Sequence, residues 1–182
     1  MRFTYALALI ALLGCAGADP QGTPEAYGST PEELVRSANM GCADPGLDYD
    51  NGIYYLVCTN RNTRYYTSSD LVNWVGHDMS ITFPSWVQST TDVWAMELEK
   101  INGTWYLYFS APDKNNPAAA GGYHKSIGVL KASAMTDNMT WTPASSAVAS
   151  APLVTKNLSS VIDPFVYNDN GQLYIFYNHY NP

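Results

Sequence analysis

Three acidic side chains stand at related distances ahead of three Asn-Gly dipeptides. Asp44, in Ala43-Asp44-Pro45, lies eight residues before Gly52, and Asp163, in Ile162-Asp163-Pro164, lies eight before Gly171. Glu97, in Trp94-Ala95-Met96-Glu97, lies six before Gly103. A hairpin arm one residue shorter on each side would absorb that difference of two. Carboxylates that converge repel and raise one another's pKa, so such a cluster needs a task or a cation. One task is glycoside hydrolysis, in which one carboxylate activates water and a carboxylic acid protonates the leaving oxygen. The other is holding a hard cation through oxygen ligands. Taken singly, an Asp before Pro reads as a turn cap. Two at the same offset in a repeat read as a site.

The elements that would position these acids repeat along the chain. Asp50-Asn51-Gly52-Ile53-Tyr54-Tyr55-Leu56 returns as Ile101-Asn102-Gly103-Thr104-Trp105-Tyr106-Leu107-Tyr108. It returns again as Asp169-Asn170-Gly171-Gln172-Leu173-Tyr174-Ile175-Phe176-Tyr177. Asn-Gly tolerates positive φ at both turn positions, so each copy predicts a tight hairpin with aromatic strands. A second element, Tyr66 to Trp74, returns as Lys131 to Trp141. Antiparallel units of this size, which cannot bury both faces alone, predict blades of a β-propeller stacked about an axis. The first strand of each blade lies nearest that axis, which would draw Asp44, Glu97 and Asp163 toward one pocket. The expected fold class is therefore all-β, a propeller of about two and a half blades over residues 41–182. A small β-sandwich with a chance hairpin similarity is the competing fold. Ala111 to Lys125 reads as a loop, and the Ala/Ser run at 144–151 as a loop or linker.

Composition limits the partners. Of the 182 residues, 46% are hydrophobic and 14% charged, which is globular rather than disordered. The formal charge of −7 disfavours a phosphate backbone as ligand, so no nucleic-acid partner is expected. Residues 1–18 read as a secretory signal peptide: a positive start, an apolar stretch from Tyr5 to Leu13, and Ala16-Gly17-Ala18 as cleavage signature. Leu12-Leu13-Gly14-Cys15 also fits lipoprotein processing. Residues 19–40 read as a leader with a short helix, capped by Thr30 and opened by Pro31. The expected location is secreted and extracellular, with no membrane partner after cleavage.

Cys42 and Cys58 flank the first hairpin and form either a disulfide or two buried thiols. Sequons at Asn102, Asn138 and Asn157 are no more than the composition gives by chance. His77, His124 and His179 have no metal-ligand spacing and read as surface or loop residues. Trp74, Trp105 and Trp141 fall at repeat positions and read as core. Trp86 and Trp94 precede the Glu97 strand; Trp94 is the candidate for stacking on a sugar ring.

These motifs, in this order, resemble glycoside hydrolase family 43, whose members include endo-arabinanases, arabinofuranosidases and β-xylosidases on a five-bladed β-propeller. Ala43-Asp44-Pro45 is similar to the motif carrying the family's general base. Ile162-Asp163-Pro164-Phe165 is similar to the motif whose Asp orients the general acid and adjusts its pKa. Trp94-Ala95-Met96-Glu97 resembles the family's Trp-Ala-Pro-Glu/Asp segment, with Met96 in place of Pro. Ser126-Ile127-Gly128-Val129 resembles the strand after the next hairpin. The resemblance implies Asp44 as general base, Asp163 as pKa modulator, and Trp94 and Glu97 as substrate contacts.

The family's general acid is a Glu of a later blade, to which no residue here corresponds, and Glu99 reads as solvated. The implied activity is hydrolysis, with inversion, of arabinose- or xylose-containing plant polysaccharides. The 182 residues alone, lacking the acid, are expected to be a fragment and inactive. Polysaccharide or oligosaccharide is the expected partner. No cofactor is expected, and a calcium ion on the axis of a complete propeller stays open. The alternative class is a non-catalytic secreted carbohydrate-binding propeller. Retaining furanosidases on a similar propeller open with Asn-Asp-Pro-Asn-Gly, which is absent here.

Overall fold

The computed structural model describes residues 41–180, and the expected signal peptide and leader helix lie outside them. Four strands, β1 (Gly46–Asp50), β2 (Ile53–Val57), β3 (Arg64–Ser68) and β4 (Val75–Ile81), form an antiparallel meander. A second meander follows with β5 (Trp94–Ile101), β6 (Thr104–Pro117), β7 (Tyr123–Ala132) and β8 (Met139–Pro143). A short helix α1 (Ser146–Ser150) leads to a hairpin of β9 (Ser160–Asp169) and β10 (Gln172–Tyr180). The described residues thus contain two four-stranded blades and the opening of a third. The two outermost strands, β4 and β8, pair in parallel from Met79 opposite Met139 to Ile81 opposite Trp141. The three first strands are neighbours, with β1 packed on β5 and β5 on β9.

The Asn-Gly signals set these hairpins. Asn51 and Gly52 have φ of 50° and 85°, Asn102 and Gly103 49° and 79°, Asn170 and Gly171 50° and 94°. Two consecutive left-handed residues match the twist of the flanking strands. The pairs closing the turns are Asp50 with Ile53, Ile101 with Thr104 and Asp169 with Gln172. The Ser-Asp element after β3 is also locally determined. Asp70 accepts hydrogen bonds from the N–H groups of Val72 (2.9 Å) and Asn73 (2.7 Å). The Asn73 N–H and side-chain amide hold its carboxyl well below the usual carboxylate range.

The main core lies between the two blades. It includes Val57, Tyr65, Trp86, Leu98, Leu107, Phe109, Leu130 and Trp141, all nearly inaccessible to solvent. Trp86 stacks on Phe109 with ring planes 2° apart, and its indole N–H donates to the Val148 carbonyl of α1. Trp105 and Trp141 are core residues, as their repeat positions imply, and Trp74 packs half-buried on Leu56, Cys58 and Tyr66.

The two stretches expected to be loops are more ordered than their composition suggests. The stretch from Ala111 to Lys125 is a long hairpin: β6 and β7 stay paired through Pro112 opposite Lys125 and Pro117 opposite Tyr123, so only residues 118–122 turn. Two of its polar residues are buried with partners rather than solvated. Asp113 accepts from Ser126 Oγ at 3.0 Å, and Asn116 binds the Lys156 and Ser159 carbonyls and the Leu158 N–H. The Ala/Ser run contains α1, capped by the side chain of Ser145.

Candidate active site

Each first strand is preceded or interrupted by the same backbone device. In β5, Trp94 pairs with Ser110 and Glu97 with Tyr108, so Ala95 and Met96 together oppose one residue, Phe109. In β9, Ile162 pairs with Asn178 and Phe165 with Phe176, so Asp163 and Pro164 oppose Tyr177. In the first blade the Thr59 N–H donates to the Ala43 carbonyl and Gly46 pairs with Val57, so Asp44 and Pro45 oppose Cys58. These are β-bulges, which re-aim a side chain where pairing would otherwise continue. The leading residue of each is left-handed: φ is 44° at Asp44, 44° at Ala95 and 54° at Asp163. All three stand eight residues before the turn glycine.

This geometry corrects the alignment of the middle repeat. The position equivalent to Asp44 and Asp163 is Ala95, and Glu97 lies two residues further along β5, beyond the bulge. No shortened hairpin arm is involved. Glu97 instead belongs to a row of carboxyls where β1 runs beside β5. Burial, then the charges of Glu99 and Asp48, push its pKa up to about 7. Asp48 and Glu99 are also raised, each mainly by burial, so Glu99 is not the solvated group its sequence suggests. Asp48 is anchored by the Lys100 N–H at 3.1 Å, and the Lys100 ammonium pairs with Asp50 at 2.6 Å.

Asp44 and Asp163 are both exposed, and each carboxylate accepts one hydrogen bond from a side chain on the paired strand or its extension. The Thr59 hydroxyl donates to Asp44 Oδ2 at 2.6 Å, and the Asn178 amide donates to Asp163 Oδ2 at 2.8 Å. Thr59 Oγ1 also accepts from the Ala95 N–H at 2.8 Å, tying the first bulge to the second. The Cys42–Cys58 disulfide closes the chain around Asp44 on the other side, with Cα atoms 5.2 Å apart. Of the two readings of these cysteines, the bridged one holds.

The starts of β5 and β9 share a cleft of about 650 Å³, lined by Asp92, Trp94, Tyr123, His124, Lys125 and Ser160 among others. Trp94 is half-buried there. The Lys125 ammonium lies 3.9 Å from its ring centroid and pairs with Asp92 at 2.7 Å. A cation over an indole face is attracted by the ring quadrupole, so the Lys125 ammonium covers one face of Trp94. Burial lowers the Lys125 pKa against the opposing pull of Asp92. Trp86, fully buried, offers no sugar platform. His124 is buried, contrary to its expected surface place, and its Nδ1 has no partner among the described residues. His77 is fixed between Asp137 and Thr67, and His179 on Ser159. Among the described residues no three His, Cys, Asp or Glu side chains are grouped to hold a metal ion. None of the described helices is long and apolar enough to cross a membrane.

No curated protein sequence matches the chain. Solved structures do. A thermostable family-43 glycoside hydrolase is 25% identical, with a TM-score of 0.58 over 75% of this chain and 41% of its own. An α-L-arabinanase of Cellvibrio cellulosa, solved with arabinohexaose, is 23% identical, with a TM-score of 0.55 over 74% and 43%. An α-L-arabinofuranosidase of Lactobacillus brevis is 20% identical, with a TM-score of 0.58 over 78% and 45%. The chain therefore spans less than half the length of these structures, and the fold it shares with them is the five-bladed β-propeller, represented here by its first blades. The sequence profile of Glycosyl hydrolases family 43 matches residues 39–182, and the chain belongs to that family.

Proposed function

We propose that this chain carries half of the catalytic apparatus of a secreted, inverting glycoside hydrolase acting on arabinose-containing polysaccharides, with xylose-containing polymers as the second substrate class. The single observation that supports this best is the repeated bulge. It sets two carboxylates, Asp44 and Asp163, at equivalent positions of first strands that flank the same middle strand, β5. Family membership supplies the reaction class, and the arabinanase and arabinofuranosidase among the similar structures favour arabinose over xylose.

In this reading ionised Asp44 takes a proton from the water that attacks the anomeric carbon. The new C–O bond forms on the face opposite the leaving oxygen, and configuration inverts. Asp163 orients the general acid and raises its pKa. The acid itself corresponds to no residue between 1 and 182, and these residues alone should give little or no hydrolysis. Trp94 supplies an apolar face to a pentose ring, and Glu97, a carboxyl that holds its proton near neutral pH, donates a hydrogen bond to a sugar hydroxyl. Residues 1–18 direct secretion.

The test is turnover of aryl arabinofuranoside and aryl xyloside by the full product of the gene, with and without Asp44→Ala. Loss of at least a thousandfold in kcat is expected. Near-normal turnover by the variant overturns the assignment, and tight oligosaccharide binding without turnover by the unmodified protein returns the non-catalytic carbohydrate-binding reading.

A further inference from the structure

The two proposed carboxylates are held by one repeated arrangement, and the middle blade shows what it consists of. Fifteen residues after each bulge residue the next strand presents a hydrogen-bonding side chain: Thr59 after Asp44, Ser110 after Ala95 and Asn178 after Asp163. In the first and third blades that side chain donates to the carboxylate. In the middle blade the carboxylate is replaced by the methyl of Ala95. There the Ser110 hydroxyl, fully buried, has no hydrogen-bond partner among the described residues. The donor position is thus part of the blade repeat, and its partner is the acid at the bulge.

We propose that Thr59 and Asn178 are positioning residues for the reaction, Thr59 setting the general base and Asn178 setting the modulator. The inference rests on the roles assigned above to Asp44 and Asp163. The direction of the Thr59 hydroxyl is dictated by its surroundings. Its oxygen accepts from the Ala95 N–H at 2.8 Å, which leaves its own proton for Asp44 Oδ2 at 2.6 Å. A left-handed residue ahead of a proline fixes the backbone, and the hydrogen bond fixes the carboxyl torsion. With Oδ2 engaged, Oδ1 is the oxygen left to take a proton from water. Ala95 lies in the neighbouring blade, so the base is referenced to both blades at once. Asn178 does the same for Asp163 within the third blade, through a neutral amide that adds no charge.

The experiment uses the full gene product and an aryl arabinofuranoside, comparing Thr59→Val, Thr59→Ser, Asn178→Ala and Asp44→Ala. Partners that orient metal ligands are worth about tenfold to a hundredfold in activity, and the same order is expected for one that orients a reacting carboxylate. Thr59→Val is expected to lower kcat by about that factor with KM unchanged, the signature of an interaction made in the transition state. Thr59→Ser, which keeps the hydroxyl, should stay within about threefold of the unmodified enzyme. Asn178→Ala, at an exposed position, should fold and lose kcat in the same way. If Thr59→Val does not fold, the Ser variant and Asn178→Ala decide the matter by the same split. Unchanged kcat in both Thr59→Val and Asn178→Ala, beside an inactive Asp44→Ala, overturns the positioning roles and leaves the base assignment standing. An active Asp44→Ala overturns the base assignment itself.

Discussion

Gly46 of β1 lies so close to β5 that a methyl group on its Cα would stand 2.0 Å from the Met96 carbonyl oxygen and 3.0 Å from the Glu97 Cα. Backbone cannot move aside as a side-chain tip can. Gly46→Ala must therefore push β1 off β5, and with it the Asp44 bulge off the Ala95 bulge. The expected cost is about 3 kcal/mol, at the upper end for overpacking. Gly52→Ala supplies the contrast. Its φ is 85° and nothing lies within 4 Å of the added methyl, so it should cost only about 1 kcal/mol of left-handed strain. Urea midpoints measure both. Equal costs would show that β1 and β5 are not in contact as described.

Ser110 offers a prediction of opposite sign. A buried hydroxyl without a partner carries its desolvation cost uncompensated, and Ser110, opposite Trp94 in the register, is fully buried. Ser110→Ala should be neutral or raise stability by about 1 kcal/mol. Thermal unfolding would read this as an unchanged or higher midpoint. A loss of 1 kcal/mol or more would mean that the hydroxyl has a partner outside the described residues.

The disulfide should act on stability and on the site together. It joins Cys42, two residues before Asp44, to Cys58, one residue before Thr59, across a separation of 16. A closed loop of that length constrains the unfolded chain by about 3 kcal/mol. Replacing both cysteines by Ser, or adding a reductant, should lower stability by that order. Because Asp44 lies just inside the bridge and Thr59 just after it, kcat of the full product should fall with it. A fall in stability with kcat intact would separate the bridge from the site.

The sequence reveals most of the fold and only part of the site, for reasons that differ residue by residue. Asn-Gly pairs at 51, 102 and 170 dictate local φ, so the hairpins and the blade repeat are legible from spacing alone. Asp44 and Asp163 are legible because they keep the same offset from those glycines. The middle position is misread when side-chain type is followed instead of offset. Glu97 draws the eye as an acid, yet the bulge sits at Ala95, whose methyl announces nothing. Counting eight back from Gly103 finds it. The β6–β7 hairpin is hidden for a different reason. Asp113 and Asn116 look like loop residues, and only tertiary partners from other segments allow them to be buried. Lys125 over Trp94 is likewise a contact between β7 and β5 that no local pattern encodes.

The carboxyl row on β1 and β5 should make stability fall as pH rises toward neutrality. Glu97 is held near pKa 7 in the fold against 4.5 for the free side chain, because burial and the neighbouring Glu99 and Asp48 disfavour its charge. Below pH 4.5 the group is protonated in both states and contributes nothing. Between pH 4.5 and about 7 the unfolded chain releases the proton while the folded chain keeps it. Unfolding is then favoured increasingly with pH, and the loss is complete above about pH 7. Reduced for the partial exposure of Glu97, the total is about 2 kcal/mol. Asp48 and Glu99, also raised by burial, add in the same direction. Glu97→Gln removes the largest contributor and fits the same space. Its urea midpoint should therefore exceed that of the unmodified protein at pH 7.5 and approach it at pH 4.5. Parallel pH dependences for the two proteins would mean that Glu97 titrates as an ordinary surface carboxylate, and its role as a proton-bearing sugar contact would fall with that result.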